Sequence, residues 1–154
     1  MHRTHWIART AIVWLLAALL GGCVKESPTV LVASVVGAAD LNPDPGGQAA
    51  PVVVRFYELK SAKAFDAAAF FDIYDNAQQT LGADLLNWAE LEVVPGSTRT
   101  LTLKLGPLAQ QVGVIVAYRD IDHARWRAKI AIATGKTIDV TVHAGKLAVA
   151  VTPG

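Results

Sequence analysis

The chain predicts a mainly all-β fold, an antiparallel β-sandwich with a short helical insertion. Three observations predict it. From residue 30 to residue 151, short runs rich in β-branched and aromatic side chains alternate apolar with polar positions. These runs recur about every ten to fifteen residues, with turn-forming Gly, Pro, Asn and Asp between them, which is the spacing of a sandwich. Only one stretch, residues 65–74, changes to a helical period.

The first 22 residues stand apart from that domain. Arg3 and Arg9, with His2 and His5, make a positive leading segment. An apolar run of about eleven residues follows from Thr10 to Leu20, within signal-peptide length and short of the roughly 20 residues of a membrane-spanning helix. It ends in Leu20-Gly21-Gly22-Cys23, and Cys23 is the sole cysteine of the chain. Small residues before a thiol at this point are the pattern of a bacterial lipoprotein, cleaved before the cysteine and acylated on it. An ordinary secretory signal would leave an unpaired thiol in an oxidising compartment. Residues 1–22 are therefore expected to be a signal peptide, 23–29 a lipidated tether and 30–154 the folded domain. Several acyl chains hold a protein stably at a membrane where one alone is marginal.

Loss of Arg3 and Arg9 takes Lys plus Arg from 14 to 12 against 13 Asp plus Glu, so the formal charge passes from +1 to −1. That balance, with its basic residues scattered, gives no footprint for nucleic acid. About 130 residues then remain, enough for one core, and with the only thiol acylated its stability rests on packing.

Residues 30–36 read as the first strand. Residues 37–51 contain Asn42-Pro43-Asp44-Pro45-Gly46-Gly47, turn formers too dense for a helix or a central strand. Loops beyond about 12 residues in a compact domain are more often functional than accidental. Residues 52–59 resume the strand pattern, with Val52, Val54 and Phe56 on one face and Val53, Arg55, Tyr57 and Leu59 on the other, so both faces are expected to be partly covered. In residues 65–74, Phe70, Phe71 and Tyr74 form an aromatic stripe read as core packing, and Ala67, Ala68 and Ala69 favour helix.

Beyond Gly82, Leu91 and Val93 alternate with Glu90 and Glu92, and Pro95-Gly96 makes a type II turn. Leu101, Leu103 and Leu105 are expected inward, with Thr100, Thr102 and Lys104 in water. Residues 112–118 are apolar on both faces and should be central. Residues 125–132 set Trp126, Ala128, Ile130 and Ile132 against Arg125, Arg127 and Lys129, a basic face expected to be solvated. Residues 137–143 and 147–151 close the pattern as a hairpin around Ala144-Gly145-Lys146.

Catalytic chemistry finds little support. Past the signal only His123 and His143 remain, and Asp120, Asp122 and His123 are the one tight cluster of metal-ligating types. Those three read better as a turn between strands, without an evident third and fourth ligand. There is no phosphate loop, no Gly-x-Ser-x-Gly elbow and no aromatic-basic interleaving. The expectation is no catalytic site, no metal and no cofactor beyond covalent lipid on Cys23.

Several stretches together carry a resemblance: residues 52–60 (VVVRFYELK), Phe65 followed by Phe70-Phe71 and Tyr74, Leu81-Gly82-Ala83-Asp84-Leu85-Leu86, Val94-Pro95-Gly96, and residues 113–119 leading to Trp126-Arg127. In this order behind a lipoprotein signal, the chain resembles the TssJ family, outer-membrane lipoproteins of the type VI secretion system. The resemblance implies a transthyretin-like sandwich with a helical insertion and no enzymatic activity. It also implies a role tethering the periplasmic domain of TssM to the outer membrane, within a complex that includes TssL. By position, the family's partner-binding loop maps onto residues 37–51. Asp40, Leu41, Asn42 and Asp44 are then the side chains expected to reach the partner, alongside Pro43, Pro45, Gly46 and Gly47. Val24 follows Cys23 in place of the aspartate that commonly retains lipoproteins in the inner membrane. The expected destination is therefore the periplasmic face of the outer membrane. Two alternatives are a lipid-anchored periplasmic carrier, with an open pocket lined by Phe56, Tyr57 or Trp88, and a lipid-anchored hydrolase fragment.

Overall fold

The described residues form eight strands, most of them alternating apolar with polar residues because each successive side chain of a strand points to the opposite face. The computed structural model describes residues 27–154. The expected lipidation site, Cys23, and the signal segment lie outside them. In chain order the elements are β1 (Thr29–Gly37), β2 (Val52–Leu59), α1 (Lys63–Ala67), α2 (Phe70–Leu81), β3 (Leu85–Val93), β4 (Thr98–Leu105), β5 (Gln111–Val116), β6 (Arg127–Ala131), β7 (Thr137–Ala144) and β8 (Val149–Pro153). A single 3-10 turn, Gly82–Asp84, joins α2 to β3.

Two four-stranded sheets form the sandwich, in the orders β4-β1-β7-β8 and β3-β2-β5-β6. All ladders are antiparallel except β1 with β7, which run parallel from Val30↔Thr137 to Gly37↔Ala144. The mainly antiparallel sandwich is therefore as the sequence predicts, with this one pair as an addition to it. Local alternation says nothing about which distant strand a given strand will join, so the parallel contact is invisible in the sequence.

Leu31, Ala33 and Val35 of β1 meet Val52, Val54 and Phe56 of β2 and Val112, Val114 and Val116 of β5 in the core between the sheets. The other face of β2 and β5, with Tyr57, Leu59 and Ile115, packs under the helices against Phe65, Phe70, Ile73 and Leu81. Both faces of β2 are covered, and β5 is internal, as the apolar runs indicated. At Gly113 a Cβ would lie 2.7 Å from the ring of Phe65, so the strand keeps a glycine where the aromatic crosses it.

The helical insertion departs from its expected form in two ways. It is two helices, α1 and α2, because Ala68 and Ala69 adopt extended backbone between them. Its aromatic stripe is split: Phe70 is buried and Tyr74 partly so, whereas Phe71 is 60% exposed. Adjacent residues of a helix point about 100° apart, and here the covered side of α2 is the one that carries Phe70, Ile73 and Leu81.

The basic face of β6 is also not simply solvated. Arg127 donates to the carbonyls of Phe65 and Asp66, each at 2.8 Å, and Lys129 Nζ meets Asp66 Oδ2 at 2.6 Å. The last carbonyls of a helix have no partner within it, and Arg127 supplies one for α1.

Candidate functional site

The strands run in alternate directions, so the connections sort to two ends. Residues 38–51, 94–97, 117–126 and 145–148 gather at one end. The chain enters β1 at the other, where residues 106–110 and 132–136 also lie.

Asn42 organises the first end. Its backbone has φ of +48°, in the left-handed region that Asn tolerates better than most residues. Its N–H donates to the carbonyl of Lys146 at 3.0 Å, its Nδ2 donates to the carbonyl of Pro51 at 2.9 Å, and its Oδ1 accepts from the N–H of Arg119 at 2.7 Å. One residue thus ties the β1–β2 loop to two other connections, through its side chain to β5–β6 and through its backbone N–H to β7–β8. Leu41 beside it is fully buried in the sandwich core. The N–H of Ala50 returns to the Leu41 carbonyl at 2.9 Å and closes the base of the loop.

Above that base the tip closes on Asp44. Its Oδ1 accepts from the N–H groups of Gly46 and Gln48, each at 2.9 Å, an Asx-type arrangement. Its backbone N–H donates to the Gln48 carbonyl at 2.8 Å, and the N–H of Gly47 donates back to the Asp44 carbonyl at 2.8 Å. Gly47, at φ of +83°, takes a conformation that other residues adopt only under strain.

These contacts correct part of the expected contact set. Leu41 and Asn42 are buried, so in this conformation they support the loop and do not present their side chains to a partner. Asp40, Pro45, Gly46 and Gly47 are exposed, and Pro43 and Asp44 are partly so. Pro43, Asp44 and Pro45 form one wall of an open groove of about 450 Å³, whose other wall is Arg119, Asp120 and Leu147. Sequence reasoning did not bring Arg119 or Leu147 to this site. Turn-rich segments at alternate strand junctions were the only available signal.

Asp120 and His123 do come together, at the rim of this groove. His123 Nδ1 donates to Asp120 Oδ1 at 2.7 Å, and both are well exposed. The hydrogen bond to the Asp120 carboxylate, helped by its negative charge, holds the imidazole above its usual pKa. Among the described residues no group of three or more His, Asp or Glu is placed to hold a metal ion. His143, exposed on β7, lies 3.2 Å from Thr152 Oγ1.

The carrier alternative requires open space at Phe56, Tyr57 or Trp88. Phe56 and Tyr57 are fully buried, and the cleft where Phe56 and Trp88 meet has about 20 Å³, near the size of one water. Tyr57 and half-exposed Trp88 also border a surface groove of about 440 Å³. Its floor is occupied by Arg55, which lies 4.0 Å from the Tyr74 ring and 5.0 Å from the Trp88 ring and bonds Glu90 at 2.7 Å.

The family model described as Type VI secretion lipoprotein, VasD, EvfM, TssJ matches residues 29–147, the sandwich from β1 into the β7–β8 connection. The chain belongs to this family. Comparison with curated protein sequences finds no match. Among solved structures, the T6SS lipoprotein TssJ1 from Pseudomonas aeruginosa is 38% identical, with a TM-score of 0.79 over 82% of this chain and 97% of that one. Serratia marcescens Lip, a membrane bound component of the type VI secretion system, is 23% identical and superposes with a TM-score of 0.76 over 82% of this chain and 98% of its own. A chain in a structure described as the T6SS protein TssM C-terminal domain from EAEC gives 0.66 at 20% identity, over 82% and 99%. The last two likenesses concern the fold. As a TssJ-family lipoprotein of a secretion complex, the chain has a structural and not an enzymatic role.

Proposed function

We propose that this TssJ-family lipoprotein is held in the outer membrane by acyl groups on Cys23, facing the periplasm, and grips the periplasmic domain of TssM within the complex that includes TssL. The loop of residues 38–51 is the grip. The observation that carries the reading is the Asn42 anchorage, which presents an exposed tip at the end of the sandwich away from the tether. A loop already ordered before binding loses little conformational entropy on association. Pro43, Asp44 and Pro45, with Arg119 and Leu147 across the groove, offer an apolar and polar mixture suited to a protein partner. No residue of this site carries out a reaction.

The test is a titration of the TssM periplasmic domain with this protein and with a variant in which residues 43–47 are replaced by Gly and Ser. Binding by the parent and its loss in the variant is the expected result. Equal binding by both removes the loop assignment, and no binding by either removes the partner. Cys23→Ser is expected to leave the interaction intact while abolishing secretion in the cell.

A further inference from the structure

The end of the sandwich opposite the candidate loop carries an apolar tip beside the point where the chain enters the fold. Thr29 is buried; its Oγ1 accepts from the N–H of Gly135 at 2.8 Å, and the N–H of Val30 donates to the Lys136 carbonyl at 3.0 Å. The chain is therefore fixed to the fold at Thr29. Six residue steps separate Cys23 from that point, which even fully extended reach at most about 20 Å. With Cys23 acylated, the part of the proposed function on which this inference rests, this end of the domain lies within that distance of a lipid surface.

The β4–β5 connection stands next to the tether. Pro107 shares a groove of about 220 Å³ with Ser27, Pro28 and Thr134. Leu108 follows it, 57% exposed. The loop is pinned on both sides of this residue. The N–H of Gly106 donates to Glu58 Oε1 at 2.7 Å, Ala109 is buried, and the N–H of Gln110 donates to the Leu59 carbonyl at 2.9 Å.

An exposed leucine by itself signifies nothing. One held outward by a pinned loop, at the end of the domain that a short lipid tether keeps near a bilayer, has an apolar phase within reach. Lys104 and Lys136, both exposed at this end, add cations suited to phospholipid headgroups.

We infer that Pro107 and Leu108 form a lipid-contacting tip. Together with the acyl chains on Cys23 it stands the sandwich end-on upon the phospholipid leaflet and points the loop of residues 38–51 away from the membrane. The nine residues of β1 set the two ends about 30 Å apart.

Acylation removes the thiol of Cys23, so a cysteine introduced elsewhere is the single reactive one. The full lipoprotein carrying Leu108→Cys, and separately Gln48→Cys, is labelled with an environment-sensitive fluorophore and reconstituted into phospholipid vesicles. The expected result is a blue-shifted emission at position 108 that lipids with acyl-chain quenchers extinguish, and an aqueous, lipid-insensitive emission at position 48. An aqueous signal at 108 on protein that floats with the vesicles overturns the tip and leaves the lipid anchor standing. A blue shift at 108 that lipid quenchers do not touch also overturns it, in favour of a protein contact. Failure to float at all overturns the anchor and the tip together. Because Leu108 is exposed, its replacement is expected to leave folding intact, and far-ultraviolet circular dichroism of the labelled protein checks this.

Discussion

Two insertions leave this sandwich, on either side of β2, and they are held by opposite chemistry. The helical insertion after β2 is held by oil: Phe65, Phe70, Ile73 and Leu81 cover Tyr57, Leu59 and Ile115. The loop before β2 is held at its base by one buried leucine and by the hydrogen bonds of Asn42. The helices take side-chain hydrogen bonds from Arg55, Arg127 and Lys129 in addition to their apolar cover, whereas the Asn42 hub makes the loop depend on two other connections, at Arg119 and Lys146. Apolar burial is spread over many atoms and tolerates small errors; a polar hub concentrates order in one residue.

This contrast is most directly broken at Phe65. Phe65→Ala removes a fully buried ring and is expected to cost about 3 to 5 kcal/mol in denaturant unfolding. The loss should be global, because Phe65 lies across Gly113 of an internal strand. Asn42→Ala comes next, at about 1 to 3 kcal/mol for buried groups left without partners. Its signature should differ: amide exchange is expected to quicken at Arg119 and along residues 42–50, and affinity for the TssM domain to fall, while β2 and β5 stay protected.

Lys129→Ala sharpens the comparison from the weak side. The Lys129 and Asp66 carboxylate pair is about half exposed at both partners. Its loss should cost no more than about 0.5 kcal/mol and vanish in high salt. The smallest effect is confined to one titration. His123 sits above its ordinary value through Asp120, so the charged imidazole is favoured in the fold. That preference is fully present below the unfolded value of 6.5 and is lost as pH rises through the raised folded value. Asp120→Asn should bring the His123 titration, followed by NMR, back toward 6.5 without altering the fold.

The same difference explains what could be read from the sequence. Val52 to Leu59 announces a strand covered on both faces, and Leu101, Leu103 and Leu105 announce one wet face, because burial leaves a period in the chain. The break after Ala67 leaves none, since alanines at 67–69 suit a helix as well as the extended link that two of them form. The loop could be located from its prolines and glycines, but its interior could not be assigned. A segment of turn formers implies exposure, and nothing local says that Leu41 enters the core or that Asn42 reaches Arg119, 77 residues away. Arg127 and Lys129 mislead for a similar reason: a basic stripe reads as solvated until a helix end is placed over it. The resemblance of the ordered motifs to the TssJ family implies the same sandwich with a helical insertion that the local periods indicate.

The course of β1 has a mechanical consequence. It begins where the proposed tether would join the fold and ends at the loop, and it lies inside its sheet, flanked by β4 and β7. A pull on the loop that is resisted at the tether therefore travels along a single stretch of already extended backbone. Tension passes through covalent bonds with little slack to take up, and the ladders to β4 and β7 on either side keep the strand straight and share the load with it in shear. Under such a pull the sandwich serves as a sheath around a taut cord.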